Sequence, residues 1–215
     1  MTRDAPDAVR TFLHVGCGRR RKDRTVKAFA GPDWNEVTLD IDEKARPDIL
    51  DSLPLIEKAP SGRFDAVYSA HVLEHLYPHD VQPALRSFRR VLKEGGFAIA
   101  TCPDLQSIGE TLAEGEVDRP LYTSPAGPVS ALDVLYGFRP AMSRGNLYMA
   151  HHGGFTVKSL LAAFREAGFP SGAGFRRPDR FELWVVASAR RLDKAELFEL
   201  RSRFLVPADS AIEDA

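Results

Sequence analysis

The sequence predicts an α/β chain organised around a doubly wound, mostly parallel β-sheet. Three observations predict it. Short apolar runs alternate with amphipathic segments through the first half of the chain. The first run, Leu13-His14-Val15, enters a glycine turn at Gly16-Cys17-Gly18. A later stripe, Val81, Leu85, Phe88, Val91 and Leu92, has the spacing of one helix face and leads through Gly95-Gly96 into another apolar run.

Taken in order, Thr11 to Val15 reads as a buried strand. Glu36 to Ile41 is a second strand ending in carboxylates, and Phe64 to Ser69 a third. The Val81–Leu92 helix follows, closed by Gly95-Gly96. Phe97 to Thr101 is the next strand, stopped by Pro103. Residues 105–150 are broken by Gly115, Pro120, Pro125, Gly127, Pro128, Gly137 and Pro140, and carry Tyr122, Tyr136, Phe138 and Tyr148 without a period. So long an irregular stretch in a compact domain reads as a functional insertion capping a site. Thr156 is a good N-cap for a helix bearing Val157, Leu160, Leu161 and Phe164, which Gly168 closes. Phe181 to Ser188 is a strong strand, and Arg176 to Arg180 a turn, the pair forming a hairpin with a strand near Gly174–Arg176. An amphipathic helix from Lys194 to Leu205 and a polar tail end the chain; Leu197, Leu200 and Phe204 offer a face for a partner. The domain expected is 1–190, with its insertion at 105–150, followed by the helix and tail of 191–215. Oligomeric state is not legible.

The 29 basic and 30 acidic side chains of the 215 residues give a net charge of −1, with no global pull toward nucleic acid or anionic membrane. The two cysteines, Cys17 and Cys102, form no CxxC pair, which suits reduced packing thiols in a cytoplasmic protein. No window approaches a membrane span, and the N-terminus lacks the apolar core of a signal peptide.

Glycines after a strand let the backbone approach a ligand, and a following helix would offer N–H groups to an anion. The third glycine of a dinucleotide fingerprint is missing here: Arg19, Arg20 and Arg21 follow Gly18. Asp40 ends the second strand roughly 20 residues on, where a carboxylate can hold ribose hydroxyls; Asp42 competes for that role. Asp51, in Pro47-Asp48-Ile49-Leu50-Asp51, is a candidate partner for an adenine amino group, a third carboxylate that a dinucleotide site does not require.

Four stretches, LHVGCG (13–18), VTLDID (37–42), FDAVYSAHVLEHL (64–76) and LRSFRRVLKEGGFAIATCPD (85–104), resemble class I S-adenosylmethionine (SAM)-dependent methyltransferases of the methyltransferase type 11 kind. The resemblance resumes at HHGGFT from residue 151 and at FELWVVA, which is similar to the family's terminal antiparallel strand. It implies a Rossmann-like sheet and SAM as cofactor. By position, Gly16, Cys17 and Gly18 would line the methionine part, Asp40 and Ile41 the ribose, and Asp51, Ser52 and Leu53 the adenine. Ser69, Ala70 and His71 would face the methyl group. His14 stands in the cofactor pocket where the family often has an acidic residue, and Arg20 replaces the usual third glycine. The HHGGFT segment and the insertion are similar to a subgroup linked to sugar or cell-envelope modification.

Methyl transfer from a sulfonium needs orientation, and a base only where the acceptor must lose a proton. His71 is the candidate base. Glu74 and His75 read as capping groups under the sheet edge. His151 and His152 are candidates for the acceptor side, with loop anchoring as the alternative. No third ligand stands at suitable spacing from the histidines, so no metal is expected. The run Arg19 to Lys22, with Arg24, reads as a solvated basic helix start, or as a site for an acceptor phosphate or nucleic acid. No D/N-P-P-Y/F/W stretch is present, against an amino-methylating nucleic-acid enzyme of that type. Tyr122, Tyr136 and Tyr148 could stack on an acceptor or pack the loop. The expectation is methyl transfer to a small-molecule or glycan-type acceptor; a nicotinamide-binding oxidoreductase and a non-catalytic SAM-fold protein are the alternatives.

Overall fold

The computed structural model describes residues 9–205. The polar tail beyond them, and the first eight residues, lie outside the described part. Strand β1 (Arg10–Val15) lies at the centre of a parallel array. It pairs on one side with β2 (Trp34–Asp40), which pairs in turn with the short β3 (Ile49–Leu50). On the other side come β4 (Phe64–Ala70), helix α1 (Pro78–Val91) and β5 (Leu92–Pro103). Beyond β5 run β9 (Glu182–Ser188), antiparallel to it, and at the edge β8 (Ser171–Arg177), antiparallel to β9 and so parallel to β5; the sheet order is β3-β2-β1-β4-β5-β9-β8. The chain reverses between β1 and β4, and in such sheets ligands bind beyond the strand ends at the reversal.

Between β5 and β8 lie α2 (Leu105–Ala113), the hairpin β6 (Pro120–Ser124)–β7 (Gly127–Ser130), the short helices α3 (Ala131–Tyr136) and α4 (Arg139–Met142), and α5 (Val157–Glu166). Residues 105–150 are therefore more regular than their Gly/Pro density suggests. Asp104 caps α2 by accepting from the Gln106 N–H, and Ser130 with Asp133 forms a reciprocal capping box for α3. Ile108, Val129 and Val134 give this segment a small core of its own. Thr156 caps α5 as expected, through a box with Ser159.

Two layers cover the sheet. On one face, Leu13, Val15, Leu39, Val67, Ala98 and Val185 pack against Leu85 and Phe88 of α1 and Leu160 and Phe164 of α5. On the other, Phe12, Tyr68, Phe97 and Ile99 pack with Phe29, Trp34 and Phe204. Phe29 stacks on Phe12 at 4.2 Å between centroids, and Trp34 meets Phe29 edge-on at 4.8 Å. Phe204 belongs to α6 (Lys194–Phe204), which packs Phe204 and Leu200 on the chain's own sheet and leaves Phe198 exposed.

Two expectations are corrected. Gly95-Gly96 lie inside the bulged start of β5, and α1 ends earlier, at Val91. No α-helix follows Gly18. Two 3-10 turns, Lys22–Arg24 and Lys27–Phe29, stand there instead, because the run is pulled onto backbone carbonyls. Arg21 donates to the carbonyls of Gly18 and Ala45, and Lys22 Nζ to those of Gly31 and Trp34. Among the described residues no helix is long and apolar enough to cross a membrane.

Candidate active site

The parallel register sets β1, β2 and β4 with their C-terminal ends side by side, Val15 opposite Leu39 and Ser69. The chain leaves β1 at Gly16, whose φ of +66° lies in the left-handed region. A Cβ there would stand 2.3 Å from Val72 Cγ2. The turn is thus backed by the segment leaving β4, and only glycine fits between them. Asp40, at the end of β2, fastens the turn: Oδ2 accepts the Gly18 N–H at 2.7 Å and Oδ1 the Asp42 N–H at 2.9 Å. Each oxygen keeps a lone pair for a ligand hydroxyl. Pairing of β3 with β2 brings Asp51 beside this position, its N–H donating to the Asp40 carbonyl at 3.1 Å. The Asp51 carboxylate is fixed in turn by the Ser52 and Lys58 N–H groups.

These residues line two neighbouring cavities that share Gly16 and His71 in their walls. The larger, about 450 Å³, runs from Asp40, Ile41, Asp51, Ser52 and Leu53 past His71 and His75 to Tyr148 and His152. Its far wall, Leu147 to Ala150, is the end of the 105–150 segment. The smaller, about 260 Å³, lies between Gly16–Gly18, Tyr68 and Ala70, with Arg19 and Arg20 at its side. Arg19 and Arg20 are exposed and answer to the basic run; the rest of that run is engaged in holding the loop.

Two expected cofactor contacts fall elsewhere. The residue at position 14 alternates onto the face of β1 that also carries Phe12. His14 is therefore 2% exposed, with Nδ1 2.7 Å from Glu36 Oε1 and its ring edge-on to Tyr68. Ser69 is buried behind the cavity wall, and its hydroxyl has no hydrogen-bond partner. Cys17 does line the smaller cavity. Burial, then the charge of Asp40, pushes its thiol up to about 11.

His71 leaves β4 with φ +56° and its N–H on the Thr101 carbonyl. Nδ1 lies 3.2 Å from Glu74 Oε1 and Nε2 3.3 Å from Glu182 Oε1. Burial lowers its pKa, but the bonds to Glu182 and Glu74 outweigh that and push it up to about 10. Both ring nitrogens face carboxylates, an arrangement that favours the protonated imidazole over the free base expected from its position. Burial raises the pKa of Glu74 and of Glu182, and the bond to His71 lowers each below the ordinary value. Glu182 was not singled out by the sequence. It enters from β9, and its distance in sequence hid it.

Glu74 and His75 sit in a 3-10 turn, Leu73–His75, and the HHGG segment docks on that turn. His152 and Gly153 both donate their N–H groups to the Glu74 carbonyl, at 2.8 and 3.1 Å. His152 is exposed and stacks on Tyr77 at 4.2 Å, at the cavity mouth. His151 turns inward. Its Nδ1 donates to the Val134 carbonyl at 2.8 Å, and its ring lies edge-on to His75 at 4.8 Å. Burial lowers its pKa below the ordinary histidine value. Tyr122 packs toward Phe181, Tyr136 is exposed, and Tyr148 borders the larger cavity.

A seven-stranded sheet of order 3-2-1-4-5-9-8, with a glycine turn after its central strand and carboxylates at the ends of the next two, is the class I methyltransferase architecture. Residues 13–100 match the family described as methyltransferase domain. No curated protein matches it significantly. Among solved structures, a protein of Bordetella parapertussis shares 16% identity and a TM-score of 0.54 over 84% of this chain and 61% of its own. A SAM-dependent methyltransferase of Thermotoga maritima shares 16% with a TM-score of 0.52, over 87% of this chain and 84% of its own. The 1,6-didemethyltoxoflavin-N1-methyltransferase of Burkholderia thailandensis, with bound substrate and S-adenosylhomocysteine (SAH), shares 16% with a TM-score of 0.50, over 83% and 70%. The chain spans about three fifths of the first of these.

Proposed function

We propose that this chain moves the methyl group of SAM to a small-molecule acceptor held under the 147–150 wall. One observation carries the reading: two neighbouring cavities share Gly16 and His71 in their walls, with carboxylates lining one and arginines beside the other. The residues fit SAM. Asp40 retains acceptor capacity for ribose hydroxyls, and Asp51 for an adenine amino group. The Gly16 turn, held close against Val72, lines both cavities. Arg19 or Arg20 would meet the methionine carboxylate. SAM supplies an electrophilic methyl on a sulfonium sulfur; the chain's part is to orient the acceptor and exclude water. A nicotinamide dinucleotide is disfavoured because no helix N-terminus follows Gly18 to receive a pyrophosphate.

The Burkholderia thailandensis neighbour acts on a small molecule by its name, which supports an acceptor of that size. A sugar-containing acceptor rests on the sequence resemblance alone and enters as one arm of the test. That test is calorimetry with SAH and with NAD, followed by transfer of labelled methyl to a panel of hydroxylated and amine-bearing small molecules, sugars included. SAH binding without NAD binding, and label in at least one acceptor, is expected. No SAH binding at about millimolar ligand removes the proposal; binding without label in any acceptor favours the non-catalytic alternative.

A further inference from the structure

We propose that Glu74, His75 and His151 form a binding site for one divalent transition-metal ion. The ligand atoms, one carboxylate oxygen and one nitrogen of each ring, all lie within 4.8 Å of one another. An ion with bonds of about 2 Å spaces its ligands roughly 3 to 3.5 Å apart, so a small ring rotation closes the set. Sequence spacing hides the site: Glu74 and His75 come from the turn after β4, and His151 is delivered by the end of the insertion.

Three details point to a ligand rather than to packing. First, Glu74 is 1% exposed, yet its Oε2 receives no N–H or O–H donor; only the weak thiol of Cys102 faces the carboxylate. A buried carboxylate oxygen without a donor is costly unless a cation answers it. Second, both histidines already donate Nδ1–H to backbone carbonyls, His75 to Ala150 at 2.9 Å and His151 to Val134 at 2.8 Å. That fixes the tautomer and leaves each Nε2 lone pair for an ion, the usual orientation of metal-bound imidazole. Third, the other oxygen, Oε1, is held by His71, which orients the carboxylate.

Two imidazoles and one carboxylate suit zinc, iron(II) or cobalt(II) better than magnesium or calcium, which prefer all-oxygen sets. Three protein ligands leave positions open. His75 also lines the larger cavity, so an acceptor oxygen could complete the sphere; this role, unlike the site itself, rests on the proposed methyl transfer.

The test takes the full, tag-free chain, stripped with chelator and dialysed against Zn²⁺ or Co²⁺ alone. One equivalent per chain is expected by elemental analysis. X-ray absorption at the zinc edge of the unaltered chain should show imidazole ligands. His151→Asn retains an amide donor for the Val134 carbonyl but has no imidazole, and it and Glu74→Gln should each weaken binding by at least about tenfold. His79→Ala should bind as the parent does, because His79 is exposed, and its contacts are with Asp80 and the Tyr77 ring rather than with the site. Circular dichroism checks that each variant folds. Binding far below one equivalent, an absorption spectrum without imidazole, or unchanged affinity in both folded site variants overturns the proposal. SAH titration of the metal-free chain keeps the two readings apart: metal uptake without SAH binding supports the site and removes methyl transfer, and SAH binding without metal uptake does the reverse.

Discussion

Glu36 holds His14 on one carboxylate oxygen, at 2.7 Å, and the Lys22 N–H on the other, at 3.0 Å. The strand and the loop that follows it are thereby tied through a single side chain. Position 14 carries no acid, and the acid appears one strand over. Glu36→Gln should weaken both bonds and lower stability by about 1–3 kcal/mol. SAH affinity should fall as well, since the loop from Gly18 to Lys22 borders the smaller cavity. Urea unfolding and calorimetry check the two effects; an unchanged unfolding midpoint would show that the tie has no weight.

Gly16→Ala meets two obstacles, the left-handed φ and the Val72 methyl. The backbone part alone costs roughly 1–2 kcal/mol. The variant should lose SAH binding at least tenfold, about 1.4 kcal/mol. Adding Val72→Ala should recover only the steric part. Full recovery in the double variant would mean that the backbone conformation is free to change.

Asp104 and Arg176 join the insertion to the sheet. Arg176 Nε donates to the fully buried Asp104 Oδ2 at 2.6 Å, and Ser107 donates to the same oxygen at 2.7 Å. Asp104→Ala removes the bond to Arg176 Nε and the α2 cap, while Arg176 keeps Ser107 and Glu110, for a loss of about 1–3 kcal/mol. Asp104→Ala combined with Arg176→Met should cost less than the first change alone. Thermal unfolding measures both; equal losses would show that the pair is not coupled.

Asp133 gives the insertion a pH dependence. Burial raises its pKa, but the bonds from Arg139 and Ser130 lower it further, to about 2 from an ordinary value of 3.8. A depressed folded-state pKa stabilises above the unfolded value, and that contribution is lost as pH falls from about 3.8 toward 2. Hydrogen exchange in peptides around Ser130–Arg139 should accelerate over that window. In Asp133→Asn this step should vanish; an identical acid response would assign it to other carboxylates.

Much of the sheet was legible because its strands are short apolar runs with polar ends, and α1 and α5 because their apolar residues recur at helical spacing. The loop after Gly18 was not. The expected helix gives way to turns because Arg21 and Lys22 reach the carbonyls of Ala45 and Trp34, further along the chain, which no local pattern displays. The insertion was misjudged for a related reason: its Gly and Pro residues fall at turns between short helices and strands, while its capping box, Ser130-Asp133, was in plain sight. In the site, Asp40, Asp51 and the Gly16–Gly18 turn were found because strand ends are predictable. His14 was misplaced by a strand's alternation of faces, and the Glu74–His75–His151 grouping depends on a loop returning from far along the chain.

The small core of Ile108, Val129 and Val134 has a consequence for how this protein can change. The insertion packs on itself and is fastened to the sheet at Asp104, so its outer sequence can be exchanged without disturbing the strand ends. Under the proposed methyl transfer, the outer part of the insertion could be exchanged or grafted with the strand-end carboxylates left in place.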